Sequence, residues 1–87
     1  MNINFERFQI GSVEFNYAPF LGVSATIDGV CAGHTGSAPW CFSNLNKAQL
    51  ESLIRLCQKA LNQDLSLNKR EIIKRAIEAS EETLAKM

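Results

Sequence analysis

Three cysteines and one histidine are the residues of this chain best suited to chemistry. Cys31, His34, Cys41 and Cys57 follow the spacing C-x2-H-x6-C-x15-C, and a closed zinc site needs four such ligands converging tetrahedrally. In a regular strand, however, Cys31 and His34 point to opposite faces and cannot share one ion. Free thiols, packed or semi-exposed, are therefore the simpler interpretation, and we predict neither a bound metal nor another cofactor.

The same residues could form a cysteine–histidine nucleophile pair. Cys31 or Cys41 beside His34 would need an activated thiolate and a third, orienting group. The only nearby acid, Asp28, is expected in a turn, and the Walker, Rossmann, H-E-x-x-H and G-x-S-x-G patterns are missing. We therefore expect that the protein is not an enzyme.

A loop of small residues between Gly33 and Ser37 suggests a candidate ligand site. Its backbone N–H groups, together with His34, Thr35 and Ser37, could hold a small anion such as a nucleotide. No Lys-Ser/Thr pair follows, and no helix begins there to face a phosphate. A plain connection is the simpler interpretation, and a nucleotide or metal site in the 31–41 region is the alternative.

Four basic residues, Lys69, Arg70, Lys74 and Arg75, are grouped near the C-terminal third of the chain. One turn of such residues could contact phosphates. Glu71 lies in the same stretch, and the formal net charge of the chain is +0. A solvated, ion-paired helix face is favoured, so we do not expect a nucleic-acid partner.

Large apolar residues exceed what two short helices obviously bury, and aromatic anchors on a rigid sheet are typical of protein interfaces. Large aromatics also build the cores of small domains, so interface and core remain open alternatives at this stage. We predict a partner-binding set with two charged residues at its rim: Phe5, Arg7, Glu14, Phe20, Leu21 and Trp40.

The composition divides the 87 residues into two unlike halves. All aromatic residues, glycines and prolines lie in the first 42 residues, and most charged residues follow them. Aromatic and β-branched residues favour strands, whereas Leu, Ala, Lys and Glu favour helices. The length predicts one domain, with a β meander over 1–44 and a two-helix part over 45–87.

Two hairpins are predicted in the first half. Gly11-Ser12 is suited to a type II′ turn and Asp28-Gly29 to a type I′ turn. The first turn pairs Ile10 with Val13 and Phe8 with Phe15, and leaves a polar row on the other face. Phe5 breaks this alternation, so it is either rotated inward by a bulge or exposed. The predicted strands are Asn4–Ile10, Val13–Tyr17, Gly22–Ile27 and Val30–His34.

Two copies of the pattern L-N-K-x-[QE]-[LI] predict two helix starts. Asn46 and Asn68 would be the N-caps, each with Gln or Glu three residues later as in a capping box. The first helix is expected from Lys47 to about Asn62 and the second from about Lys69. Ion pairs four residues apart are expected at Glu51/Arg55, Glu71/Arg75 and Glu82/Lys86. Together these elements predict an α+β fold, with both helices packed on one face of a four-stranded antiparallel sheet.

No stretch reaches the length of a membrane span, and the first residues lack the pattern of a signal peptide. An odd number of cysteines without close pairs fits a reducing compartment. We therefore expect a cytoplasmic protein with no membrane partner.

The segment from Gly22 through Asp28-Gly29 to the helix capped by Asn46 resembles the hairpin-then-helix arrangement of small phage-encoded inhibitors of bacterial defence, the anti-CRISPR proteins among them. The resemblance rests on size and architecture and covers about half of the chain. It implies a non-enzymatic protein that blocks a host complex by occlusion, with a homodimer as one assembly, and it carries over no individual residue.

Overall fold

The computed structural model describes residues 5–19, 22–33, 42 and 44–87. Four strands are followed by two helices, which confirms the predicted α+β fold. The strands form one antiparallel sheet in the order β1-β2-β3-β4. Among the described residues, no helix combines the length and the apolar character needed to cross a bilayer. The elements are β1 (Glu6–Ile10), β2 (Val13–Ala18), β3 (Gly22–Ile27), β4 (Val30–Cys31), α1 (Lys47–Ala60) and α2 (Leu67–Ala85).

Both predicted hairpins form in the predicted register. Ile10 lies opposite Val13 across the first turn, where Gly11 has φ +57°, and strand pairing continues through Phe8 and Phe15. Asp28 and Gly29 both have positive φ, at 54° and 77°, as a type I′ turn requires at its two central residues. Turn chemistry thus sets which side chains share a face of the sheet.

The predicted fourth strand, Val30–His34, is too long. β4 ends at Cys31, although the Ala32 N–H still donates to the carbonyl of Ala25 at 2.8 Å. Gly33 has φ +120°, a backbone conformation that an extended strand cannot contain, so the ladder stops there. His34 lies outside the described residues.

The first strand also starts later than predicted, at Glu6 instead of Asn4, and Asn4 is outside the described residues. The second strand continues one residue further than predicted, to Ala18, which pairs with Gly22.

The helices cover one face of the sheet, which we call the inner face. Its strand residues are the row that the hairpin register predicts, with Phe15 stacked on Phe8 at 5.3 Å between ring centroids. In α1 the helical spacing predicts that Ile54 and Leu61 are buried together with four other residues of the same stripe, but these two are only half-buried. The other four are buried as predicted: Leu50, Leu53, Cys57 and Ala60. The fully buried side chains of this core include Val13, Phe15, Val23, Leu50, Leu53, Cys57, Ile72 and Ile73.

The apolar stripe of α2 is wider than predicted. The helical spacing predicts five core-facing residues in α2. Of these, Ile73, Ala76 and Ser80 are buried, whereas Ile77 and Leu84 are only half-buried. The pattern did not predict the buried positions Ile72, Ala79 and Thr83.

Two buried hydroxyl groups on α2 are hydrogen-bonded. Ser80 Oγ donates to the carbonyl of Ala76, and Thr83 Oγ1 donates to that of Ala79, both at 2.7 Å. Thr83 Oγ1 also accepts from the Phe42 N–H at 2.9 Å. This bond fixes the buried Phe42 against the second helix, because a buried polar group without a partner would be costly.

The two predicted helix starts differ. Asn46 caps α1 as predicted: its side chain accepts from the Gln49 N–H at 2.8 Å, and Gln49 Oε1 accepts from the Asn46 N–H at 2.9 Å. The N-cap of α2 is Ser66, not Asn68.

The earlier start of α2 has a simple cause. Ser66 is itself a favoured capping residue, and its Oγ accepts from the Lys69 N–H at 3.3 Å. The third helical position is occupied by Lys69, whose side chain cannot accept a hydrogen bond. The Ser66 N–H therefore receives no side-chain acceptor of the kind that Gln49 provides for Asn46. With Ser66 as the cap, Leu67 is the first residue of α2 and not a residue that precedes the helix, and its side chain is 71% exposed.

Candidate functional site: the outer face of the sheet

The sheet face turned away from the helices carries a shallow depression of about 300 Å³. We call this side the outer face. It is formed by the alternate strand positions that do not enter the core, including Arg7, Glu14, Asn16, Ser24, Thr26 and Cys31. Phe5, Arg7 and Glu14, three of the six predicted partner-binding residues, line this one depression.

Arg7 and Glu14 are held in place by one amide. The register places Arg7 directly opposite Asn16, and Arg7 Nε donates to Asn16 Oδ1 at 3.0 Å. Asn16 Nδ2 also donates to Oε1 of Glu14, which lies two residues before it in β2, at 3.4 Å. A cation and an anion are therefore fixed on neighbouring strands without a direct ion pair.

Of the two positions that the alternation allowed for Phe5, rotated inward or exposed, the structure shows the exposed one. The residue is not rotated inward, and its side chain is 63% exposed. The guanidinium carbon of Arg7 lies 5.9 Å from the ring centroid, within the range of a cation–π contact. An exposed aromatic ring next to a guanidinium thus stands at one end of the depression.

Cys31 is an exposed thiol at the same depression. Its Sγ lies 3.4 Å from Ser24 Oγ. The hydrogen bond with Ser24 is the largest effect and lowers the pKa of the Cys31 thiol below its ordinary value. Partial burial opposes it as the second-largest effect, and weaker hydrogen bonds from the Gly33 N–H and the Thr26 side chain lower the pKa further. Since the thiolate is the reactive form, this is the more reactive of the two described thiols.

Cys57 has the opposite environment. It is fully buried in the core, and burial raises the pKa of its thiol to about 12. The sheet separates it from Cys31, so the two thiols cannot ligate one metal ion. Within the described residues, no group of three His, Cys, Asp or Glu side chains could hold a metal.

The remaining predicted site residues of the first half lie outside the described residues. They include the other proposed anchors and the proposed ligand loop. The roles proposed for these residues remain predictions: Phe20, Leu21, His34, Thr35, Ser37, Trp40 and Cys41.

The basic residues of α2 are mostly engaged within the chain. Lys69 Nζ lies 5.4 Å from the Phe8 ring centroid, and Arg70 Nη2 donates to the Gln63 carbonyl at 3.0 Å. The other two residues, Lys74 and Arg75, differ from each other.

Arg75 is shared between two partners: its Nε lies 3.4 Å from Glu71 Oε1, and its guanidinium lies over the Tyr17 ring at 5.7 Å. Lys74 is exposed. Of the three expected ion pairs, Glu71/Arg75 forms. The expectation of pairs at Glu51/Arg55 and Glu82/Lys86 is wrong, because exposed long side chains gain little from pairing. Arg55 Nη2 instead donates to Ser52 Oγ at 3.4 Å.

A second, larger groove of about 660 Å³ was not predicted from the sequence. It lies between the Gly11 turn and the C-terminal half of α1, and its lining includes Leu56, Arg55 and Lys59. Only the packing of the hairpin against the helix creates it, so neither element shows it alone. The helical periodicity did place Arg55 on the outside of α1.

Comparison with known proteins adds no relative: no protein-family model, curated protein or solved structure matches this chain.

Proposed function

We propose that this chain is a non-enzymatic binding protein that blocks or regulates a macromolecular partner through the outer face of its sheet. The observation that carries the proposal is the common depression lined by Phe5, Arg7 and Glu14. Aromatic residues and arginine are the types most enriched among residues that dominate binding energy. Here both are exposed, adjacent and attached to a sheet whose other face is a packed core.

The hydrogen bonds of this face favour recognition of a protein surface. Asn16 orients Arg7 and Glu14 before any partner arrives, and preorganised side chains lose less conformational entropy on binding. A cation and an anion side by side also select a partner with the complementary pair of charges.

A capture experiment with matched variants tests this proposal. The tagged protein, its Arg7→Glu variant and its Lys74→Glu variant would each be used to capture proteins from bacterial lysate. Both substitutions reverse one exposed cation, but Lys74 is on α2, away from the outer face. We expect one captured protein that the Lys74→Glu variant retains and that the Arg7→Glu variant loses by at least about tenfold. Equal capture by both variants would contradict the assignment of this face.

The more specific form of the proposal is an anti-CRISPR-type inhibitor acting in the bacterial cytoplasm. Its support is the resemblance in architecture, a four-stranded sheet followed by a capped helix. Expression in a bacterium whose CRISPR system targets a phage should restore plaque formation by that phage, and Arg7→Glu should reduce the effect. If no CRISPR type is inhibited, this form fails while the capture experiment can still succeed.

The alternative function, binding of a nucleotide or metal in the 31–41 region, has one supporting observation. Cys31, the first residue of that region, is exposed and has a lowered thiol pKa. Native mass spectrometry of the purified protein separates the alternatives. An added mass equal to zinc or a nucleotide would move the function to Cys31 and the residues that follow it.

A further inference from the structure

The free edge of β1 carries backbone groups without strand partners in the described part of the chain. Ile10 and Val13 flank a two-residue turn, so they exchange both backbone hydrogen bonds. Bonded and non-bonded pairs alternate along an antiparallel ladder, and Glu6 and Phe8 therefore also bond to β2. The N–H and C=O groups of Arg7 and Gln9 then point away from the sheet.

The two edges of the sheet differ in length. β4, at the other edge, has two residues, and the extended backbone ends by Gly33, where φ is +120°. β1 has five residues and is the longer edge. An edge strand with outward N–H and C=O groups is a template for a further strand unless something blocks it.

We infer that β1 pairs with β1 of a second copy, forming a symmetric antiparallel dimer centred on Phe8. This register uses all five residues of the strand. It places Arg7 opposite Gln9 of the second copy, and Gln9 opposite Arg7 of the second copy, so the outward groups of both residues form four backbone hydrogen bonds. Glu6 then lies opposite Ile10 of the second copy.

The neighbouring symmetric registers are less favourable. Centring the pair on Arg7 places two guanidinium groups opposite each other, and like charges directly opposite are destabilising. Centring it on Gln9 extends the pairing into the turn, where Gly11 has φ +57° and cannot continue a strand. The sequence of the edge is thus self-complementary in one register.

One exposed and one half-buried aromatic ring near this edge fit a second copy. Phe5, 63% exposed, would lie opposite Gly11 of the second copy, a position without a side chain to block the ring. The two Phe8 rings, each already stacked on Phe15 at 5.3 Å, would meet at the symmetry axis. The dimer would be a continuous eight-stranded sheet with both depressions on its outer face.

Proline at position 9 tests this inference. Gln9→Pro removes the outward N–H and leaves every β1–β2 bond in place, whereas the control Gln9→Thr keeps the N–H and loses the same side-chain bond to the Gly11 carbonyl. Sedimentation equilibrium measures the dimer dissociation constant of each. We expect Gln9→Pro to weaken the dimer by about tenfold or more, since two of the four bonds are lost, and Gln9→Thr to change it little.

A pair of charge variants keeps the test decisive if Gln9→Pro does not fold. Gln9→Arg opposes Arg7 of the second copy and should weaken the dimer several-fold, while Gln9→Glu should tighten it. Within one copy, position 9 faces Glu14, so monomer stability should change in the opposite direction. A wild-type chain that stays monomeric at about 1 mM, or a dimer insensitive to these substitutions, would overturn the inference.

Discussion

The two faces of the sheet show how one strand supports two kinds of surface. Phe15 is fully buried on the inner face, and its neighbours Glu14 and Asn16 belong to the polar network of the outer face. The inner face is stabilised by burial of apolar area, which is insensitive to direction. The outer face is organised by hydrogen bonds of defined geometry, which contribute little to stability and much to the position of Arg7.

The two described thiols repeat this contrast. Cys57 is treated as a small apolar group in the core and has its pKa raised, whereas Cys31 has hydrogen-bond donors around it and has its pKa lowered. The same side chain is therefore held in its neutral thiol form on one side of the sheet and shifted towards its thiolate form on the other. Substitutions on the two faces and at the two thiols test this difference.

Truncation on the inner face should be far more costly than truncation on the outer face. Phe15→Ala removes a fully buried ring and should lower the free energy of unfolding by about 3–5 kcal/mol. Glu14→Ala, one residue away on the other face, should change it by about 0.5 kcal/mol or less. Urea denaturation followed by circular dichroism measures both.

Phe15→Ala could remove all the stability of a chain of this size. Ile73→Val, also in the core, should then give a measurable loss of about 1 kcal/mol. Equal losses for Glu14→Ala and Ile73→Val would contradict the division between the faces.

Cys57 should make the protein sensitive to alkaline pH. Its thiol has a pKa of about 12 in the folded chain and an ordinary value of 9.0. Between pH 9 and 12 the unfolded chain loses the Cys57 proton while the folded chain keeps it, so the unfolded state is favoured increasingly. The contribution of the neutral thiol to the free energy of unfolding is therefore complete below pH 9 and is lost between pH 9 and 12. The slope is about 1.4 kcal/mol per pH unit within that window.

The control for this measurement is Cys57→Ala, which is less stable at every pH but should lack this part of the slope. Stability curves of the two proteins from pH 7 to pH 11 give the difference. Parallel curves would show that Cys57 is not protected by the core.

The reactivity of Cys31 should show the smallest effect. Ser24→Ala removes the main group that lowers the Cys31 pKa, so the fraction of thiolate at neutral pH should fall. In a Cys41→Ser background, the rate of reaction with a disulfide reagent at pH 7 should drop several-fold. If Ser24→Ala does not change the rate, Ser24 does not set the pKa of Cys31. The difference between the faces would still hold as long as Cys57 does not react with the reagent until the protein unfolds.

The sequence predicted the features that depend on short segments. Gly11-Ser12 and Asp28-Gly29 predicted both hairpins and their register, and Asn46 with Gln49 predicted the start of α1. In each case the deciding contacts lie within a few residues, so local propensity and side-chain chemistry are sufficient.

Two of the errors, the start of α2 and the end of β4, were each decided by one residue. Ser66 and Asn68 are both good caps, and the pattern around Asn68 did not include the better-placed Ser66. The end of β4 depended on the conformation of Gly33, a residue that can either continue a strand or end it. Both errors are of a few residues.

Alternation and turn type are properties of consecutive residues, so the amino-acid sequence was sufficient to predict the fold class, the hairpin registers and which residues of each strand share a face. What each face contacts depends on how the strands and helices pack together. Burial gave Cys57 a raised pKa, Ser24 gave Cys31 a lowered one, and Phe5 was left exposed beside Arg7. These outcomes depend on groups that the fold brings together from different strands and helices. A pattern of neighbouring residues does not show which of these groups will be close in space.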